Sequence, residues 1–213
     1  MKNLLFSTAL LFAFCASPIF AQTDNDTYRN KVSLGFKGGT NFANIFDADS
    51  ESFENDFRVG LAAGMFLQIP LGDLLGIHPE IMFSQKGFKG DGSLFGVDYE
   101  FSRTSNFIDV PLMVALKPSS RVTLLAGPQF SYLLSTTEDI TADDLGVEII
   151  EEFDNQDLRN NILGFAAGID FNINQIVIGL RASWDLTNNS SDGSSEAIRY
   201  RNMIYQVTAG FRF

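Results

Sequence analysis

Nine ionisable residues of this sequence fall on the less apolar side of segments in which apolar and polar residues alternate. They carry both signs of charge and include the only histidine: Lys37, Arg58, His78, Glu80, Lys86, Asp109, Asp170, Arg181 and Arg212. A period of two is that of a β-strand, so these side chains would share one face of a sheet. Buried charges are tolerated when they are paired and hydrogen-bonded. We therefore interpret the set as an interior polar network that fixes strand register, in preference to a path for protons or ions.

A second group of ionisable residues lies in two acidic segments. Carboxylate oxygens suit Ca²⁺ or Mg²⁺, but the stretch that begins Asp47-Ala48-Asp49 has Ser52 where a calcium loop needs glycine. We expect a solvated acidic surface and keep a divalent-cation site as the alternative. The acidic residues are Asp47, Asp49, Glu51, Glu54 and Asp56 in the first segment, and Glu138, Asp139, Asp143, Asp144, Glu148, Glu151, Glu152, Asp154 and Asp157 in the second.

The sequence offers little for cofactor or nucleic-acid chemistry. It contains no phosphate-binding loop, zinc-ligand spacing or dinucleotide fingerprint, so we predict no cofactor. The formal net charge of −11 disfavours nucleic acid as a partner. His78 is the only candidate for an imidazole base, and it has no obvious serine partner. We therefore expect a structural histidine close to Asp109 and predict no enzymatic activity.

Eight segments carry the alternation that would position these side chains. Between Phe57 and Ile69 every second residue is apolar, and the residues between them are mostly small or polar. A strand that separates two different surroundings is expected to have one apolar face and one mixed face. The predicted strands are residues 32–41, 57–69, 75–88, 98–117, 122–136, 161–173, 175–186 and 202–213.

The connections between these strands are short and long in turn. The long ones are residues 42–56, 89–97, 137–160 and 187–201, and we expect a short helix within residues 143–157. An even number of strands with this rhythm is typical of outer-membrane barrels. The predicted fold is an all-β, eight-stranded antiparallel up-and-down transmembrane β-barrel with short periplasmic turns and long extracellular loops. Such a barrel has room inside only for side chains or one small ligand.

Three prolines interrupt the predicted strands. Pro79, Pro111 and Pro128 fall on adjacent strands, in the half nearer the short turns. Proline lacks a backbone donor and marks bulges or ends in paired strands. We therefore predict a local bulge or bend there.

The first residues predict export. Lys2 precedes an apolar run, and Ala21 ends a segment that resembles a signal-peptidase site, so we expect Sec export and cleavage after Ala21. Phe14 stands where a lipobox needs a small residue, which argues against lipidation of Cys15. The predicted organisation is a signal peptide over residues 1–21, a short periplasmic segment over 22–30 and a barrel domain over 31–213.

Several motifs carry a resemblance to a known family. Leu75 to Gly87 (LGIHPEIMFSQKG) resembles the third-strand motif of the PorT-like outer-membrane β-barrel family of Bacteroidota. Residues 107–112 (FIDVPL) and 126–128 (AGP) are similar to its fourth- and fifth-strand motifs, and residues 38–41 to the end of its first strand. The resemblance implies an eight-stranded barrel in the outer membrane, in contact with lipid. The family's named member is linked to protein secretion and gliding machinery.

The final residues resemble a barrel-assembly signal. Phe211 and Phe213 look like the closing aromatic signature that barrel-assembly machinery uses during insertion. The alternative is that Phe213 merely ends an amphipathic strand. We interpret the pair as an insertion signal.

Three functions from different classes remain open. The first is a non-enzymatic outer-membrane barrel that acts as a scaffold, anchor or surface binder through its acidic loops. The second is an outer-membrane lipid-modifying enzyme that uses His78. The third is a soluble lipocalin-like carrier, which would have its apolar face inward. A role in protein secretion follows only from the family resemblance, and any extracellular or periplasmic protein partner is open.

Overall fold

The computed structural model describes residues 29–46, 56–94, 97–142, 147–153, 161–187 and 201–213. Most of these residues form strands; the predicted signal peptide, residues 1–21, lies outside the described ranges. The strands are β1 (Ser33–Phe46), β2 (Asp56–Pro70), β3 (Leu75–Leu94), β4 (Val97–Leu116), β5 (Val122–Ala142), β6 (Val147–Phe153), β7 (Asn161–Ile173), β8 (Ile176–Asp185) and β9 (Arg201–Arg212).

Eight of the strands close into an antiparallel barrel. Their order around the barrel is β4-β3-β2-β1-β9-β8-β7-β5, and β4 also pairs with β5. The seam between the first and last strands runs from Gly35 opposite Arg212 to Phe46 opposite Arg201. β6 pairs only with β5 among the described strands, at the end with the long connections. The predicted eight-stranded fold is confirmed, with β6 as an added strand outside the ring.

The two faces of the barrel have opposite character. In β2, Val59 and Leu61 are 60% and 61% exposed, whereas Ala62 and Phe66 are 2% exposed. The interior instead holds most of the buried charged side chains. A soluble carrier with an apolar interior is therefore contradicted, since the apolar face is the outer one.

In the described ranges, no helical segment is long and apolar enough to span a bilayer.

The strands extend further toward the long connections than the sequence predicts. β1 continues to Phe46, β3 and β4 form a hairpin up to Leu94 and Val97, and β5 continues to Ala142. The predicted helix within residues 143–157 is wrong over Val147–Phe153, which is β6. Pairing with Thr136–Ala142 of β5 satisfies the backbone of this segment, and such tertiary pairing overrides the local helical preference of its glutamates.

The prolines interrupt the ladders without changing the register. β3 and β4 pair Pro79 with Leu112 and next pair Met82 with Asp109, so the ladder skips two positions beside Pro111. The register shifts of the described strands lie elsewhere, between Phe57 and Ala62 in β2 and between Asn106 and Phe107 in β4. The bulge in that prediction is therefore wrong, because losing donors breaks bonds without inserting a residue, whereas the alternative of a bend stays a prediction.

Candidate functional site

The barrel interior contains an ion-pair cluster centred on Glu80. Lys37 Nζ of β1 donates to Glu80 Oε2 at 2.5 Å, and Arg181 Nη2 of β8 donates to Glu80 Oε1 at 3.1 Å. Arg181 also holds Asp170 of β7, with Nη1 at 2.7 Å from Oδ1 and Nη2 at 3.3 Å from Oδ2. We call Lys37, His78, Glu80, Asp170 and Arg181 the Glu80 cluster.

The charges of the Glu80 cluster balance. Two cations face two carboxylates, and all four side chains are at most 6% exposed. Charges this deeply buried need paired partners to offset the loss of water. The bidentate contact of Arg181 with Asp170 also fixes the orientation of the guanidinium.

His78 lies in the Glu80 cluster and not beside Asp109 as predicted. Its Nε2 is 3.0 Å from Glu80 Oε1, and its ring stacks on Phe66 with centroids 5.3 Å apart. The residue is 1% exposed. Strand alternation puts His78 and Glu80 on the same face of β3, two residues apart, which brings the two side chains together.

Asp109 belongs to a second interior group. Lys86 Nζ donates to Asp109 Oδ1 at 2.9 Å and to Ser131 Oγ at 3.0 Å. The same ammonium lies 4.5 Å from the centroid of the Phe107 ring. Lys86 is 1% exposed, so its charge depends on these neighbours. This group sits nearer the long connections than the Glu80 cluster does.

The two remaining predicted residues lie toward opposite ends. Arg212 donates from Nη1 to Asn172 Oδ1 at 3.0 Å and from Nη2 to the Asn174 carbonyl oxygen at 2.8 Å, near the short turns. Arg58 is half-buried in β2, and its Nε and Nη1 have no hydrogen-bond partner among the described residues. The nine predicted side chains thus form separate groups spread along the barrel.

Sequence reasoning missed a further ion pair nearer the long connections. Arg103 of β4 pairs with Glu138 of β5, and its guanidinium lies 5.8 Å from the Phe88 ring centroid. Glu138 is 8% exposed. A simple alternation from Val122 would point Glu138 outward, but the register shift opposite Phe107 reverses the parity. Only recognition of that shift in the sequence could have found this pair.

Little empty space separates the Glu80 cluster from the Lys86 group. A cavity of about 20 Å³ lies between them, lined by Glu80, Asp109, Gln129 and Arg181 among others. That volume holds about one water molecule. The side chains that line this cavity therefore leave room for little more than one water molecule between them.

The described residues give no metal site. They contain no group of three His, Cys, Asp or Glu side chains arranged to hold an ion. Much of the predicted acidic surface, including Asp47, Asp49, Asp143 and Asp144, lies outside the described residues.

Comparison with solved structures agrees with the fold. Ail of Yersinia pestis, crystallised with the heparin analogue sucrose octasulfate, has a TM-score of 0.50 at 14% identity, covering 86% of this chain and 99% of that one. OprG of Pseudomonas aeruginosa gives 0.46 at 12% identity, covering 87% and 97%. Neisserial surface protein A gives 0.45 at 8% identity, covering 86% and 100%. At such identities the similarity to Ail concerns the fold alone.

Comparison of the sequence identifies the family. No curated protein matches the chain. The family model of the outer membrane protein beta-barrel domain matches residues 20–191, which is most of the sequence. The chain therefore belongs to the outer membrane protein beta-barrel domain family, whose members are barrels of the outer membrane.

Proposed function

We propose that this protein is a non-enzymatic outer-membrane barrel with a filled interior, which anchors acidic connections at the cell surface. One observation carries the proposal. Glu80 of β3 bonds to Arg181 of β8, and these strands lie four places apart in the eight-strand ring. The bond therefore spans the lumen from one wall to the opposite wall. A lumen crossed by a buried, charge-balanced network is suited to support and poorly suited to transport.

The filled lumen predicts a lack of conductance. The purified protein in a planar lipid bilayer should give no more current than a protein-free membrane. The double variant E80A/R181A removes both side chains that meet across the lumen, and it should conduct if it remains folded. Stable current steps from the unmodified protein would refute the proposal.

The anchored surface is rich in carboxylates. Asp139 lies in β5 and Glu151 lies in β6, at the end of the barrel with the long connections. We propose that this surface contacts a cationic partner. The alternative is that divalent cations bind its carboxylates. We do not propose a sulfated ligand like that of Ail for this chain, because the acidic connections of this chain would repel a polysulfate.

Burial of His78 supports the non-enzymatic proposal. A general base must come within hydrogen-bond reach of a substrate proton, directly or through one water. His78 is instead 1% exposed, with its ring on Phe66. If the protein modifies lipids with His78 as the base, a His78→Ala variant will lose that activity under conditions in which its barrel remains folded. Its unfolding midpoint should fall, because His78 is buried. Retained activity would exclude His78 as the base.

Two further roles rest on resemblance. We propose that Phe211 and Phe213 act as an insertion signal for barrel-assembly machinery; the contact of the Phe213 ring with Phe36, at 5.8 Å between centroids, supports a position at the seam. The PorT-like motifs support a role beside a protein secretion apparatus. Crosslinking in intact outer membranes, followed by identification of the captured proteins, tests that role directly.

A further inference from the structure

A pocket rich in positive charge opens at the periplasmic mouth of the barrel. Its lining includes four cations, Arg29, Lys31, Lys117 and Arg212, and no carboxylate among the described residues. This is unusual in a protein whose formal net charge is −11. We call these four residues and the space between them the basic pocket.

Lys117 is the most informative member of the basic pocket. It is 8% exposed, and its Nζ donates to the carbonyl oxygens of Arg29 at 2.6 Å and Gly72 at 3.2 Å. Both acceptors are uncharged, and no carboxylate oxygen among the described residues lies within ion-pair distance of it. A buried ammonium without a counter-ion is costly.

Arg29 is held beside Lys117 by the backbone. Its Nε donates to the Asp73 carbonyl oxygen at 2.8 Å, and its Nη2 donates to the Lys117 carbonyl oxygen at 2.9 Å. The carboxylate of Asp73 accepts instead from Asn30 Nδ2 at 2.6 Å. Two like charges are therefore fixed close together by neutral acceptors.

The electrostatics of Lys117 agree with this geometry. Burial lowers the pKa of Lys117 from its ordinary value of 10.5, and the nearby Arg29 guanidinium lowers the pKa further. The Asp73 carboxylate raises the pKa and offsets only part of this lowering. An anion between Arg29 and Lys117 would raise the pKa of Lys117. It would counter the effect of the Arg29 charge and offset that of burial.

The position of the basic pocket narrows the choice of anion. The turn that supplies Gly72 and Asp73 also exposes Leu71 and Leu74, which are 64% and 52% exposed. Exposed leucines in a membrane protein's turn suit the interface of the inner leaflet, where phospholipid phosphates lie. The cavity of about 20 Å³ admits about one oxygen atom of such a group and leaves the rest of the molecule outside.

We propose that the basic pocket binds a phosphate group, presented by an anionic phospholipid of the inner leaflet or by a soluble periplasmic phosphate. Arg29 and Lys117 supply the charge-assisted hydrogen bonds, and Thr123, 3% exposed in the same lining, supplies a hydroxyl. This proposal is independent of whether the barrel is an anchor.

The test measures binding of inorganic phosphate and of short-chain phosphatidylglycerol to the purified protein in detergent. We expect saturable binding of one or both probes at constant ionic strength, and weakening by about tenfold or more in the Arg29→Gln and Lys117→Met variants. Arg121→Gln is the matched control, since it removes an exposed cation from the same turn outside the pocket lining and should leave affinity unchanged.

The two probes distinguish the sources of phosphate. Binding of inorganic phosphate alone assigns a soluble ligand, and binding of the lipid in excess of inorganic phosphate assigns the membrane. Absence of saturable binding of both probes overturns the proposal. Equal affinity in Lys117→Met and wild type, or acetate binding as tightly as phosphate, overturns it as well.

Discussion

Replacement of Glu80 by glutamine is the sharpest test of the interior network. Glutamine keeps the shape of the side chain and removes its charge. The Glu80 cluster then changes from two cations and two carboxylates to two cations and one carboxylate, with a net charge of +1. Arg181 keeps Asp170 as a partner, whereas Lys37 loses the carboxylate 2.5 Å from its Nζ.

The expected magnitude follows from the burial of Lys37 and Glu80. Their side chains are 5% and 2% exposed, so the ammonium left behind can recover little hydration. Removing one partner of a buried pair costs about 3–5 kcal/mol. We expect the free energy of unfolding of the Glu80→Gln variant to fall by that amount.

Urea unfolding in lipid vesicles measures this loss. Trp184 is the only tryptophan and lies in β8, so its fluorescence reports on the barrel. The double variant K37M/E80Q restores charge balance, because Arg181 and Asp170 remain as a pair. It should recover a coupling energy of about 2–3 kcal/mol relative to the sum of the two single variants.

Two outcomes would contradict the expected loss of stability. A loss below about 1 kcal/mol in Glu80→Gln would place this pair in the range of exposed ion pairs. Additive losses in the double variant would show that Lys37 and Glu80 do not act together. Arg121→Gln removes an exposed charge and should stay within about 0.5 kcal/mol of wild type.

Three further predictions use the same unfolding assay. Leu61→Arg places a charge on the outer face of β2 and should cost about 2–4 kcal/mol in vesicles, whereas an unchanged midpoint would contradict lipid contact there. Gly168→Ala should cost about 1–3 kcal/mol, because the added methyl group would overlap the Leu180 carbonyl oxygen and displace Arg181; wild-type stability would show that the neighbours can move. Since the pKa of Lys117 is lowered on folding, the unfolded chain binds more protons between that lowered pKa and 10.5, so stability should rise with pH across this interval. Lys117→Met should flatten the rise, and an equal rise in the variant would assign it to another group.

Alternation predicted the barrel well, because the period of two can be recognised within each strand without knowledge of the strands it pairs with. Residues 161–173 form β7 at the predicted bounds, and the short turns fall where Pro, Gly and Asn residues occur. The faces also follow from alternation over most of each strand. The exception is β5 beyond Leu133, where the register shift reverses them.

Partners across the lumen could not be predicted from such local patterns. Glu80 and Arg181 are 101 positions apart and meet only because β3 and β8 close on opposite sides of the ring. The same limit misplaced His78 beside Asp109, because both point inward but at different heights along the barrel. The strand β6 was missed since its pairing with β5, and not its own composition, determines its structure.

The seam between β1 and β9 has a consequence for how the protein is made. It joins residues near opposite ends of the described chain, and the Phe213 amide donates to the Leu34 carbonyl oxygen at 2.9 Å to extend it. Contacts so distant in sequence form slowly, because a long loop must close before they stabilise anything. Until that moment β1 and β9 both present unpaired edges, which are templates for pairing with other chains. The ring therefore cannot close before β9 is present, and its open edges need protection from aggregation until then.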